Sequence, residues 1–202
     1  MRISYLNKVL IQINVPMENT TNLFHVAILV ADGFEQLELS CPLDSLTKAG
    51  AQVKVISPNK DWVRSWHQVD WGKDQAVDVP LPMARPEFYQ ALLVPGGMMS
   101  IASLRTNATA IDFVRHFLTA GKPVGVIGCG AQLLINAGVT PGRRLTSCKE
   151  VRVDLENAGA QWIDQSIVTD KGLVSCGTTD HLSGFIKKMI LEFNLAVPVE
   201  VN

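Results

Sequence analysis

Short runs in which every residue is apolar punctuate the chain, separated by stretches whose apolar residues recur every three or four positions. Val26-Ala27-Ile28-Leu29-Val30 is the first run, and Asp32-Gly33 closes it. Ala91-Leu92-Leu93-Val94 ahead of Pro95-Gly96-Gly97, and Pro123-Val124-Gly125-Val126-Ile127 ahead of Gly128-Cys129-Gly130, repeat the pattern. Unbroken runs of this length suit strands covered on both faces, because a strand with one wet face alternates instead. Val53-Lys54-Val55-Ile56 adds a strand, and shorter ones are expected near Trp162-Ile163, Ile167-Val168 and Leu173-Val174-Ser175. Between them Leu39, Leu43 and Leu46 keep helical spacing, as do Ile111, Val114, Phe117 and Leu118, then Leu133-Leu134-Ile135, then Val151, Leu155 and Ala158. A last stripe joins Leu182, Phe185, Ile186, Met189, Ile190 and Phe193. Gly50, Gly121 and Gly159 stand where three of these helices should stop.

Strands alternating with helices predict an α/β fold: a mostly parallel central sheet joined by right-handed crossovers, with helices on both faces. Such sheets hold ligands at the carboxyl ends of their strands, near the point where strand order reverses. Three turns qualify, residues 32–38, 95–99 and 128–130. A turn-rich insertion from Pro58 to about Pro82 carries Trp62, Trp66 and Trp71 and is expected to form a small antiparallel excursion. Residues 1–22 form an extension. Ile3, Tyr5, Val9, Ile11, Ile13 and Val15 alternate loosely before a polar stretch from Glu18 to Asn22. An added edge strand, a dimer arm, and upstream sequence preceding a start at Met17 all fit it. The domain proper takes residues 23–202.

Charge and cysteine usage narrow the function classes. Eighteen basic against nineteen acidic residues give a net charge of -1, which offers no electrostatic footprint for nucleic acid or an anionic membrane. A small-molecule ligand and protein partners, including a second copy, fit better. Cys41, Cys129, Cys148 and Cys176 show neither CxxC spacing nor a disulfide framework, which points to a reducing, cytoplasmic setting and to no metal. No apolar run reaches membrane-spanning length, and the first residues are broken by Arg2, Asn7, Lys8, Gln12 and Asn14, so no leader is expected. No dinucleotide fingerprint or P-loop appears, so no cofactor is expected.

The ordered motifs are more specific. Ala31-Asp32-Gly33-Phe34-Glu35-Gln36-Leu37-Glu38-Leu39, Trp66-His67-Gln68-Val69-Asp70-Trp71-Gly72, and Leu93-Val94-Pro95-Gly96-Gly97 followed by Leu104-Arg105-Thr106-Asn107 come first. Gly121-Lys122-Pro123-Val124, Leu145-Thr146-Ser147, and Asn157-Ala158-Gly159-Ala160 with Trp162-Ile163-Asp164 complete the set. In that order they resemble the ThiJ/PfpI superfamily, in its intracellular-protease and glutamine-amidotransferase-like branch, over Phe24 to about Asn194. The resemblance implies a flavodoxin-like three-layer sandwich, a homo-oligomer, and a cysteine–histidine–acid centre. Relatives place the cysteine on a nucleophile elbow reading Ala-Ile-Cys-His-Gly, where a helix N-terminus stabilises the thiolate.

This chain reads Val126-Ile127-Gly128-Cys129-Gly130 there. The resemblance puts Gly128 at the cysteine's place and Cys129 at the histidine's. The family's acid should fall near Ala102, and Val174-Ser175-Cys176 replaces a Thr-Ser-Arg stretch. Three roles are therefore missing together, and a catalytically impaired or non-catalytic member is the leading expectation. Glu38 matches the carboxyl that sits beside the nucleophile in relatives, so it and Cys129 are the candidate catalytic pair. Glu35, Gly96, Gly97, Gly128, Gly130 and Cys176 are expected around the pocket.

Plainer readings stand beside these. Cys129 is equally well a small buried apolar residue. Glu35 and Glu38 both suit the first turn of a helix, where acids complement its dipole, and Glu35 is assigned that role. His67 and Asp70 belong to the hairpin. Its tryptophans are expected to pack on the domain or a second subunit. Three functions remain open: a binding or stress-associated protein using a retained pocket; a cysteine-dependent hydrolase, amidase or glyoxalase/deglycase-like enzyme using Cys129 with Glu38; and a redox sensor at Cys129, which requires an accessible low-pKa thiol.

Overall fold

A computed structural model describes residues 23–196. The 1–22 extension, with its alternatives, lies outside the described residues. In chain order the elements are β1 (His25–Leu29), β2 (Phe34–Glu35), α1 (Gln36–Lys48), β3 (Gln52–Ser57), β4 (Trp62–His67), β5 (Asp70–Ala76), β6 (Val79–Pro80) and β7 (Ala91–Val94). There follow α2 (Met98–Leu104), α3 (Ala108–Thr119), β8 (Val124–Ile127), α4 (Gln132–Asn136), β9 (Arg144–Leu145) and α5 (Arg152–Asn157). The chain continues through β10 (Gln161–Trp162), β11 (Ile167–Asp170) and β12 (Leu173–Cys176) to α6 (Leu182–Glu192).

The central sheet runs β11-β12-β8-β7-β1-β3-β6. Only β11, at one edge, pairs antiparallel. Successive side chains of a strand point to opposite faces, so the apolar runs feed two cores. On one face Ala27 and Leu29 join Leu92 and Val94 and meet Phe113, Val114 and Phe117 of α3. On the other, Val26, Ile28 and Leu93 meet Leu39 and Leu46 of α1 and the α6 stripe from Leu182 to Phe193, each buried. The flavodoxin-like sandwich expected of the sequence is the observed fold.

Strand order reverses between β1 and β7: the chain leaves β1 for β3 on one side and returns to β7 on the other. The turns after β1, β7 and β8 therefore converge at one end of the sheet. The tryptophan-rich insertion is the expected antiparallel pair, β4 with β5, and β2 extends it into a three-stranded sheet beside the same end. Its tryptophans divide. Trp62 is 61% exposed and Trp71 42%, whereas Trp66 faces the cleft between the turns. Helix α2 is an addition to the sequence reading. Its apolar positions, Ile101 and Leu104, are too few to show a period.

Candidate functional site

The three turns enclose a cavity of about 500 Å³. Its floor is built by backbone. Glu35 N–H donates to the Gly96 carbonyl at 3.2 Å and ties the β2 turn to the turn after β7. One turn into α1, Glu38 is 5% exposed and points inward, where its Oε2 accepts the Gly96 N–H at 2.6 Å. A Cβ added at Gly96 would stand 2.8 Å from Glu38 Oε2 and 3.4 Å from Cys129 Sγ. Carboxyl and sulfur thus flank one glycine, and no side chain fits between them.

The bend after Ile127 starts a 3₁₀ turn, Gly128–Ala131, that runs into α4. Gly128 takes φ +55, the left-handed conformation that costs an L side chain about 1 kcal/mol or more. The apex residue is therefore Gly128 and not Cys129. A Cβ at Gly128 would point to Glu38 Oε1 at 3.6 Å. Cys129 departs in another direction, 6% exposed, with the Gly97 backbone N–H reaching its sulfur.

Burial pushes the Glu38 carboxyl up to about 7; the Gly96 N–H bond opposes this and the Glu35 charge adds to it. Burial likewise drives the Cys129 thiol up to about 11, with the Glu38 charge acting in the same sense. Glu35, half-buried, is raised by burial, and His67 partly offsets that. Cys148 is pushed up to about 12, by burial first and then by Cys129. The low-pKa thiol that the redox-sensor expectation requires is thus not what surrounds Cys129.

The Glu38 shift has a consequence for stability. Between its ordinary value of 4.5 and about 7, the unfolded chain loses this proton while the folded chain keeps it. Stability therefore falls as pH rises through that window and levels off above it, by a total of about 3 kcal/mol. Glu38→Gln keeps an acceptor for Gly96 and removes the titration. Its melting temperature is expected to exceed that of the wild type at pH 8 and to converge with it near pH 4.5. Parallel melting curves for both proteins across that range would show the assignment to be wrong.

Glu35, Glu38, Gly96, Gly97, Gly128 and Cys129 all line the cavity. Gly130 and Cys176 do not. Gly130 packs behind the elbow, where a Cβ would stand 2.6 Å from the Val94 carbonyl. Cys176 is fully buried and donates its S–H to the Thr178 carbonyl at 3.2 Å. The pocket role expected of both is corrected: after Cys176 the wall is made by Gly177 and Thr178, and at the elbow it is made by Gly128 and Cys129, ahead of Gly130. Ala102, where the family's acid was sought, is exposed on α2 and outside the cavity. Met98 and Met99, from the 95–99 turn, and Cys148 also line it, as do Trp66 and Glu150, for which no place in the cavity was expected. Trp66 opens the hairpin motif and Cys148 follows Leu145-Thr146-Ser147, whereas Glu150 had no signal. Among the described residues no three His, Cys, Asp or Glu side chains are grouped to hold a metal ion, and no helix is long and apolar enough to cross a membrane.

A mostly parallel sheet with a sharp glycine-rich turn, a buried carboxyl beside it and a cavity at the strand ends defines an α/β protein with its ligand site at the switch point. A model of the DJ-1/PfpI family matches residues 24–192, and the chain belongs to that family. Protein/nucleic acid deglycase 2 of Escherichia coli is 37% identical over 169 residues, covering 82% of this chain and 95% of that protein. Deglycase PfpI of Pyrococcus furiosus is 34% identical over 165 residues, covering 82% and 96%. DJ-1 of Schizosaccharomyces pombe shares the fold, with a TM-score of 0.73 at 22% identity over 84% of this chain and 95% of that one. These two sequence relatives carry the names of enzymes. Those names give no support to the expectation of a non-catalytic member and side with its deglycase-like alternative.

Proposed function

We propose that the cleft is a deglycase-type acid–base site that receives small carbonyl adducts of amines. The single observation that carries this is Glu38: a carboxyl 5% exposed, raised to about 7, with Oε2 fixed by Gly96 and Oε1 turned towards the Gly128 bend. A group titrating near neutrality is suited both to take and to return a proton. A carbinolamine held with its hydroxyl against Oε1 gives that proton to the carboxylate. Its carbon–nitrogen bond then breaks, the carbonyl forms, and the protonated carboxyl returns the proton to the departing amine. No covalent intermediate is required. The names of the relatives support the reaction class. Cys129 lies beside the carboxyl, and burial and the Glu38 charge push its thiol up to about 11, so the protonated form prevails at pH 7.

The test is the release of amine from a methylglyoxal–amine adduct. Glu38→Gln is expected to lower the rate by about 10² or more, and Cys129→Ala by less than about tenfold. A cysteine-dependent reaction would instead be lost in Cys129→Ala. A wild-type rate no greater than that of buffer sinks this reading. A second reading, a pocket that binds without turnover, is favoured by the glycine at the apex, and that same result would support it.

A further inference from the structure

A second cavity, of about 170 Å³, opens beside the cleft and shares Cys148, Gly177 and Thr178 with it. Its chemistry is different. The cleft presents carboxyls, thiols and apolar side chains, whereas here Thr146, Ser147, Asp164, Gln165 and Ser166 surround Trp162. The indole is held in place from two directions. Its Nε1–H donates to Ser147 Oγ at 3.0 Å, and the Arg152 guanidinium lies over the ring, 4.6 Å from its centroid. Ser147 in turn donates to the Cys148 carbonyl at 2.8 Å, so this hydroxyl is already engaged.

Thr146 is not. It is 2% exposed and its backbone N–H donates to Ser175 Oγ at 2.9 Å. Its own Oγ1 has no hydrogen-bond partner among the described residues, yet it is not one of the polar atoms sealed from the surface. It sits against the Gly177 wall, 3.8 Å from where a Cβ there would be, and so opens into this pocket. Open to the pocket, this hydroxyl is free to bond a ligand hydroxyl in place of water. Lys149 and His181 share the lining with Asp164, so the pocket is of mixed charge and is not built for a ligand of one strong sign. With Arg152 over the ring and the core against it, the indole gives the pocket its remaining apolar surface, edged by side-chain hydroxyls and an amide, which matches a compound carrying both C–H and hydroxyl groups.

We propose that this pocket binds a neutral polyhydroxylated group, one sugar or polyol unit, with Thr146 Oγ1 hydrogen-bonding a ligand hydroxyl and Trp162 forming the apolar wall. The proposal stands whether or not the neighbouring cleft catalyses a reaction, because it concerns binding alone.

The experiment follows the Trp162 indole N–H in ¹⁵N–¹H spectra of the full chain, assigned with Trp162→Phe, as D-ribose, D-glucose or glycerol is added. At least one of them is expected to shift the resonance saturably, with a midpoint roughly in the millimolar range for so small a ligand. Thr146→Val is expected to weaken that binding about tenfold. Thr146→Ser, which keeps the hydroxyl and guards against a simple folding defect, is expected to retain it. The proposal is overturned by three results: no saturable shift with any of the three compounds, undiminished binding in a folded Thr146→Val protein, or tighter binding of inorganic phosphate at the same resonance.

Discussion

The double substitution Gly128→Cys with Cys129→His is expected to raise carbonyl-adduct turnover by roughly 10² to 10⁴ over the wild type. The new side chain has room. A Cβ at position 128 would meet nothing nearer than Glu38 Oε1 at 3.6 Å and the Gly177 carbonyl at 3.9 Å. It is directed at the carboxyl, so a thiol there adds a covalent route to a site whose proton-transfer group is already in place. The cost is the left-handed backbone, φ +55, on the order of 1 kcal/mol for a residue with a side chain. Gly128→Ala measures that strain separately: it should lose about that much stability and gain no activity. The result expected against this account is a folded double variant, with a titratable new thiol, that turns over adduct no faster than the wild type.

Gly97→Ala is expected to be the most damaging single substitution near the site, at about 3 kcal/mol or more. Two penalties coincide. Gly97 has φ +101, and a Cβ there would lie 2.2 Å from the Gly33 carbonyl oxygen, 2.7 Å from Phe34 Cα and 2.8 Å from Glu35 N. All three are backbone atoms of the segment that leads into Glu38, so nothing can move aside without shifting the carboxyl. For a domain of this size the melting temperature should drop by roughly 6–12 °C, and any Glu38-dependent activity should vanish with it. Gly50→Ala is the control. Gly50 has a similar positive φ, +87, with nothing within 4 Å of the added carbon, and should lose only about 1 kcal/mol. Equal losses at the two positions would mean that the collision at Gly97 is not real.

Much of the site was legible before any coordinates. The three turns after the apolar runs of β1, β7 and β8 do converge, because a parallel sheet delivers those ends to one side wherever its order reverses. Glu38 was legible only through the family resemblance, since as a first-turn acid it reads equally well as a helix-dipole partner. In the structure it shares a face of α1 with the buried Leu39 and Pro42, so the helix carries its carboxyl inward. Gly130 and Cys176 were expected at the cavity, which their neighbours Cys129 and Gly177 line instead. At a tight turn adjacent side chains point in different directions, and proximity along the chain does not decide which of them reaches the cavity.

What the chain determined by itself is local: apolar runs and helical stripes fix the elements, and glycine after Ile127 removes any side chain from the apex of the elbow. Tertiary structure alone decided the rest. Trp66 comes to the cleft because β2 recruits the hairpin, and Thr146 comes to stand beside Gly177, thirty-one residues away, only through the packing of the elements. The displacement of the Glu38 and Cys129 pKa values also belongs to this level. Ionisation is governed by how much water and charge surround a group, and that depends on segments distant in sequence, which no periodicity records.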